Sequence, residues 1–161
     1  MVYNENFIWL HFPKCAGVKI EGLFRKYLFA EPGLFQDTID PQMDPAASWH
    51  DSIAGREARN PAFILGGRTV ISSIRRLPSW LESRYNFEYE RSPQLPHDPE
   101  LILEGKFLEM TGGVNHADNY IEKYLPQSLL STGRVRFLRL EYFETDFIEL
   151  FSRYLDVSAI P

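Results

Sequence analysis

The sequence is poor in cysteine, in surplus positive charge and in long apolar runs, and each scarcity excludes a class of protein. One of the 161 residues is a cysteine, Cys15, which excludes an intrachain disulfide framework and a cysteine-rich zinc site. Lys and Arg number 17 against 22 Asp and Glu, for a net charge of −5, and this balance argues against nucleic acid as a partner. Any anion site must therefore be local and built from a few positioned groups.

No apolar run reaches the length of a membrane-spanning helix, and the N-terminal residues lack the pattern of a signal peptide. We therefore expect a cytoplasmic protein without a membrane span. The chain is nonetheless 44% hydrophobic and 14% aromatic, which is enough to bury a core. Its length is close to that of one ordinary domain, so we predict a single domain over residues 1–161.

Apolar runs rich in β-formers alternate with helical patterns along the chain. Strands are predicted at 6–12, 68–74 and 135–140, with a further short strand within 61–67. Helices are predicted from Val18 to Pro32, near Ser52–Arg59, after Pro78, and at 100–110, 115–125 and 143–155. Residues 31–62 are otherwise interpreted as a long connection. The alternation predicts an α/β fold with a mainly parallel sheet.

The stretch "HFPKCAGVKI" (residues 11–20) joins the first strand to the first helix through a turn of small residues. Ligands of open α/β sheets bind beyond the carboxyl ends of the strands, where a helix N-terminus offers unpaired N–H groups to an anion. Ala16 and Gly17 let the backbone approach a ligand closely, and Lys14 adds a mobile charge. The P-loop pattern G-x-x-x-x-G-K-[ST] is absent, so the turn alone also fits a tight connection with a surface lysine.

The same stretch resembles the 5′-phosphosulfate loop of sulfotransferases that use 3′-phosphoadenosine 5′-phosphosulfate (PAPS). Val18 and Lys19 stand where that family usually places hydroxyl residues. The resemblance implies that Lys14 is catalytic, bridging the 5′-phosphate and the transferring sulfonate. It also implies a set of co-substrate-binding loop residues: Pro13, Lys14, Cys15, Ala16, Gly17, Val18 and Lys19.

A second stretch, "IRRLPSWLESRY" (residues 74–85), is similar to the family's 3′-phosphate site. That site combines an Arg at the end of a strand with a Ser in the helix that follows. Arg75 and Ser83 have the family's spacing, whereas taking Arg76 as the ligand would restore the spacing to Pro78 but lose the serine. A guanidinium also suits a phosphate dianion better than an ammonium does.

A third, weaker similarity lies in "VRFLRLEYFETDF" (residues 135–147), where the family has a strand followed by a helix with an acidic start. It includes Leu138, Glu141 and Asp146. We expect an architectural role for this segment, with Glu141 ordering the strand end.

The catalytic base is expected to be a histidine, the usual proton acceptor near neutral pH. The family layout favours His50, which lies between the two phosphate motifs, and Asp51 could orient it only if the backbone turned suitably. Glu21 is an alternative because some members use a Glu shortly after the loop, although a solvent-facing helix position explains it better. His11 could point into the sheet as easily as toward the ligand.

Taken together, the resemblance implies a three-layer, P-loop NTPase-like sulfotransferase fold that transfers a sulfonate from PAPS to an acceptor hydroxyl or amine. The product nucleotide would be 3′-phosphoadenosine 5′-phosphate (PAP), the acceptor a small molecule or glycan, and no metal is expected. The short chain suggests a homo-oligomer in which a partner chain completes the acceptor site. One alternative is a non-catalytic PAP- or nucleotide-binding protein with the same fold. The other is a nucleotide-dependent kinase, which is disfavoured because Cys15 stands where a magnesium-binding Ser or Thr would follow Lys14.

Overall fold

The computed structural model describes residues 1–28, 30–36 and 50–161. Residues 37–49, which belong to the long predicted connection, lie outside the described residues. The described strands are β1 (Val2–Tyr3), β2 (Phe7–Leu10), β3 (Phe35–Gln36), β4 (Thr69–Ile74), β5 (Lys106–Leu108), β6 (Val114–His116) and β7 (Val135–Arg139). The described helices are α1 (Gly17–Leu23), α2 (Ile53–Arg59), α3 (Leu77–Arg91), α4 (Ala117–Tyr124), α5 (Gln127–Leu130) and α6 (Phe143–Phe151). A π-helical turn, Phe24–Leu28, continues α1, and 3-10 turns cover Pro99–Glu104 and Leu140–Tyr142.

Within the described ranges, five strands form a mixed sheet in the order β3-β1-β2-β4-β7. Its centre is parallel: Leu10 of β2 lies opposite Ser72 of β4, and Ile74 lies opposite Arg139 of β7. Strand β1 pairs antiparallel with both β2 and β3. The α/β class is thus confirmed, and the sheet is mixed with a parallel core. The carboxyl ends of β2, β4 and β7 point toward the same edge, where an α/β fold places its ligands.

Most predicted elements are confirmed, and two are wrong. The predicted strand within 61–67 is not formed, because these residues make turns that lead into β4. The helix predicted over 100–110 is a short 3-10 turn followed by β5, which pairs with β6 as an antiparallel hairpin. The turn ends at Gly105, whose φ of 72° is left-handed and stops the helical path.

The chain divides into two compact units. Unit 1 comprises residues 1–74 and 128–161, and unit 2 comprises residues 75–127. Unit 2 contains α3, α4 and the β5–β6 hairpin, and its aromatic core includes Trp80, Phe107 and Tyr120 with ring centroids 5.6–5.7 Å apart. Burial beside these rings raises the pKa of Tyr120 to about 12. The prediction of a single domain stays a prediction.

The core of unit 1 packs one face of the sheet against α1 and α6. Strand β2 is buried at all four positions, and Trp9 donates its indole N–H to Ser73 Oγ at 3.1 Å, so no polar atom of that ring is left unpaired. The fully buried members of this core are Val2, Phe7, Trp9, Ile20, Phe24, Leu28, Ile71, Leu138 and Phe151. Each large apolar side chain contributes roughly 1.5–3 kcal/mol by leaving water. The same packing fixes the end of β2 and the start of α1, which carry the candidate site.

The carboxylate of Asp146 connects α6 to the end of β7 through hydrogen bonds. Asp146 is buried and accepts the backbone N–H of Arg139 at 2.8 Å as well as its guanidinium Nε at 2.8 Å and Nη2 at 2.7 Å. These hydrogen bonds lower the pKa of Asp146. Asp146 thus has an architectural role at the end of β7, and the role expected for Glu141 stays a prediction.

We expect Asp146→Asn to lower the free energy of unfolding by about 1.5–3 kcal/mol at pH 7, the usual worth of hydrogen bonds to a charged group. Because the folded pKa lies below the unfolded one, this contribution is present above about pH 4 and is lost as the pH falls through the folded pKa. Urea titrations across pH 2–7 measure it. The control is Glu149→Gln, which breaks the exposed ion pair with Arg153 and should change stability by less than about 0.5 kcal/mol. Equal losses in both variants would contradict the prediction.

Candidate functional site

The loop between β2 and α1 has an unusual backbone. Lys14 and Ala16 have φ values of 62° and 56°, the left-handed region that side chains other than glycine seldom adopt. A non-glycine residue held there costs of order 1–2 kcal/mol. Alternation of left- and right-handed residues is also how successive N–H groups turn toward one concavity and make an anion-binding nest. Strain at two positions of one turn therefore marks this loop as a functional candidate.

Helix α1 begins at Gly17 with no side chain capping its first turn, within the residues that the structure describes. The N-cap residue is Ala16, whose methyl group cannot accept a hydrogen bond. The N–H of Ile20 bonds to the carbonyl of Ala16, so the amides of the turn before it, at residues 17–19, rely on solvent or a ligand. The helix continues through the π-helical turn to Leu28, and its dipole adds to the attraction for an anion.

The remaining loop residues are placed by packing. Pro13 and Cys15 are buried, and the backbone N–H of Cys15 bonds to the carbonyl of Phe12 at 3.3 Å. The thiol of Cys15 is 1% exposed and therefore fills space beneath the turn. Lys14 is half-buried. The loop is thus anchored by its apolar members, with Lys14 between two buried neighbours.

Gly17 is needed for packing. A Cβ built on this residue would overlap the imidazole of His11. The φ of Gly17 does not itself require glycine, because only the neighbouring loop residues Lys14 and Ala16 are left-handed. The strand end and the helix start therefore approach so closely that only glycine fits at residue 17.

Three candidate bases converge beside this glycine. His11 and Glu21 are 3% and 5% exposed, and His11 Nδ1 lies 3.0 Å from Glu21 Oε1. The ring of His50 meets the ring of His11 at a centroid distance of 4.5 Å and an interplanar angle of 85°. The expectation that Glu21 faces solvent is wrong, because its carboxylate points inward to His11. The carboxylate of Asp51, considered from the sequence as a group that could orient His50, forms an ion pair with Arg59 of α2.

Val18 and Lys19 follow the loop on the first turn of α1. Val18 is 73% exposed, and its side chain carries no hydroxyl. Lys19 Nζ lies 4.3 Å from the ring centroid of Phe143 on α6, a cation–π contact. A cavity of about 120 Å³ beside this contact is lined mainly by apolar groups of α1, α6 and residues 160–161. The ammonium of Lys19 is therefore engaged by α6.

Arg75 and Ser83 belong to unit 2. Arg75 Nε donates to Ser79 Oγ at 3.2 Å, and the Ser79 hydroxyl in turn donates to the carbonyl of Arg76 at 3.0 Å. Ser79 and Ser83 are one helical turn apart and share a face of α3. The guanidinium of Arg75 thus rests at the N-terminal turn of the helix face that carries Ser83. Ser79 was missed from the sequence, although its i, i+4 spacing to both residues was a usable signal.

The other two histidines have structural roles. His97 Nε2 bonds to the carbonyl of Ser92 at 2.8 Å, and His116 Nδ1 accepts the N–H of Asp118 as the cap of α4. Both belong to unit 2. The two histidines of unit 1, His11 and His50, contact each other beyond the end of β2.

Comparisons with protein-family models, with curated proteins and with solved structures found no match to this chain. Function therefore has to be argued from the residues themselves. Among the described residues, no group of three or more His, Cys, Asp or Glu side chains could hold a metal ion. None of the described helices is long and apolar enough to cross a membrane.

Proposed function

We propose that the protein is a sulfotransferase that transfers a sulfonate group from PAPS to an acceptor hydroxyl or amine. One observation carries the proposal: the β2–α1 loop combines two left-handed residues, a buried glycine and an uncapped helix start with Lys14 in the turn. A backbone of this kind can bind a tetrahedral dianion. The imidazole of His50 lies beside it, in contact with the inward-facing imidazole of His11. The similarity of "HFPKCAGVKI" to the 5′-phosphosulfate loop supports 5′-phosphosulfate as the anion.

In this proposal the backbone amides at 17–19 bind the 5′-phosphate, and the ammonium of Lys14 stabilises the charge that grows on the leaving oxygen. His50 accepts the proton of the acceptor hydroxyl while the new O–S bond forms and the S–O bond to the 5′-phosphate breaks. The products are the sulfated acceptor, PAP and the proton on His50. As in phosphoryl transfer, positioning and electrostatics supply most of the acceleration. General-base help adds ~10²–10⁴-fold.

The 3′-phosphate is assigned to Arg75 and Ser83. This part rests on their spacing in the sequence and on the contact of Arg75 with Ser79, which places a guanidinium against the hydroxyl of Ser79, one helical turn before Ser83 on the same face of α3. Such a set can supply one charge-assisted pair and neutral hydrogen bonds to a phosphate. We add Ser79 to the proposed ligands for this reason.

Calorimetric titration with PAP tests the assignment. We expect PAP to bind equally with and without magnesium, and adenosine 5′-phosphate to bind more weakly because it lacks the 3′-phosphate. Lys14→Ala and Arg75→Ala should each weaken PAP about 10–100-fold, the equivalent of a charged hydrogen bond. Lys26→Ala is the control, since that ammonium lies over the Tyr27 ring in the π-helical turn that follows α1, about two helical turns after the loop. Absence of PAP binding, or binding unaffected by both loop and strand-end variants, would refute the proposal.

A second candidate function is a PAP-binding protein without turnover. It is favoured by the exposed Val18 in place of a hydroxyl residue and by the engagement of Lys19 with Phe143. PAP binding with no sulfonate transfer to a panel of alcohols, amines and sugars would favour it. The kinase alternative has less support, because the loop offers no hydroxyl side chain for magnesium.

A further inference from the structure

The buried pair of His11 and Glu21 is not used in the transfer step described above. We propose that it is a positioning pair, which holds the ring of His50 in its working orientation and fixes the backbone of the phosphosulfate loop at Gly17. The proposal deepens the proposed function and rests on it for the reaction concerned. Glu21 then acts through His11, and neither residue exchanges a proton with the acceptor.

The contact between the two side chains determines the state of the imidazole. Glu21 Oε1 accepts the Nδ1–H of His11 at 3.0 Å, and both side chains are shielded from water. A carboxylate acceptor on one ring nitrogen selects the tautomer and orientation of a histidine. A buried carboxylate without such a donor would be strongly disfavoured, so each partner requires the other.

The ring of His11 is enclosed by Trp9, Gly17 and His50. Trp9 stacks on it with centroids 5.3 Å apart and planes at 29°, and Nε2 points toward the Cα of Gly17. The ring of His50 meets it nearly at right angles. Rotation of the His11 ring therefore requires movement of the loop backbone, of His50, or of both. This is the physical route by which Glu21, on the second turn of α1, influences the base.

The arrangement also explains why Glu21 is not the base. Its carboxylate is turned inward and is already bonded to His11, so it is not presented to an acceptor. His50 is half-buried and is therefore the more accessible of the three groups. His50 is thus the accessible base, and His11 and Glu21 are the buried residues that position it.

A double-mutant cycle tests the proposal. Glu21→Met keeps the side-chain volume but removes the acceptor, whereas Glu21→Gln keeps an oxygen that can accept from Nδ1–H. We expect Glu21→Met to lower kcat for transfer from PAPS about 10–100-fold, and Glu21→Gln to lose clearly less. In a His50→Ala background the Met substitution should change kcat by less than about 3-fold, because residues that act through one another are not additive. If the pair has only a structural role, Glu21→Met lowers kcat by the same factor in both backgrounds, and that result would overturn the proposal. An unchanged kcat in the His50→Ala variant itself would also overturn it.

Histidine ring ¹⁵N spectra provide a readout that needs no turnover. Glu21→Met should shift the ring nitrogen resonances of both His11 and His50, while Glu21→Gln should preserve the His11 tautomer. If the unsubstituted protein binds no PAP and transfers no sulfonate, the proposed function fails, and these spectra alone decide whether the pair positions His50. Unchanged His50 resonances in the Met variant would overturn the positioning role, whatever the outcome for sulfonate transfer. Circular dichroism establishes that each variant is folded.

Discussion

Gly17→Ala is expected to destabilise the protein by about 3 kcal/mol and to abolish measurable PAP binding. The added methyl group would occupy the space of the His11 imidazole, which is itself confined by Trp9 and Glu21. Overpacking a confined site costs roughly 1–3 kcal/mol, and here the nearest atoms belong to a buried ring with little room to move. Urea unfolding measures the stability, and calorimetry measures the affinity for PAP.

Gly22 offers a matched control on the same helix. Apart from the adjacent residues and the helix's own backbone, no heavy atom lies within 4 Å of a Cβ built there, so Gly22→Ala should raise the stability by about 0.5–1 kcal/mol through better helix propensity. The pair also allows a rescue experiment. Removing the ring with His11→Ala should make Gly17→Ala much less costly, because the methyl group then has space. If Gly17→Ala were as harmless as Gly22→Ala, the close approach of strand end and helix start would be contradicted.

Lys14→Gly is expected to lower turnover strongly while changing the stability little. Glycine adopts a φ of 62° without the steric penalty that Lys14 bears, and this gain offsets the greater freedom of glycine in the unfolded chain. The free energy of unfolding should therefore change by less than about 1 kcal/mol. Turnover should fall about 10²–10³-fold, the usual effect of removing a group that stabilises transition-state charge.

Lys14→Ala is the matched control for Lys14→Gly. Alanine removes the same charge but keeps the penalty at φ 62°, so both variants should lose turnover alike while the glycine variant is the more stable. Initial rates of PAP release measure the first quantity and urea unfolding the second. A Lys14→Gly variant that retained full turnover would remove the lysine from the proposed mechanism. Loss of stability larger than that of Lys14→Ala would contradict the backbone strain.

The central strands and the long helices were predictable because each carries a strong local pattern. Strand β2 is a continuous apolar run, as expected where both faces are covered, and β4 and β7 are rich in β-branched or aromatic residues. Helix α3 begins at Leu77 with Pro78 in its first turn, as expected from the preference of proline for that turn. The short elements were not predictable: β1 has two residues and β5 and β6 have three each, too few to show a period of two.

The candidate site was predictable in part. His50 came from its place in the family layout, and the loop residues came from a motif, which is a local signal. The pairing of Glu21 with His11 could not be predicted from a local signal, because a glutamate between Ile20 and Gly22 has the same local pattern whether it faces solvent or a partner at the strand end. Only the packing of α1 against the sheet decides which of these applies. The contact of Lys19 with Phe143 is likewise a product of the fold, since α6 lies far along the chain.

Unit 1 is built from two separated stretches of sequence, with unit 2 inserted between them. Pairing within its sheet joins Phe7 to Thr69 and Val70 to Val135, so the sheet depends on segments made early and late during synthesis. Non-local pairing of this kind forms slowly, whereas unit 2 is contiguous and can assemble from its own residues. On the ribosome, Phe7 of β2 therefore lacks its packing partner Phe151 until α6 has emerged. The loop between β2 and α1 therefore gains its full support only in the last stage of folding.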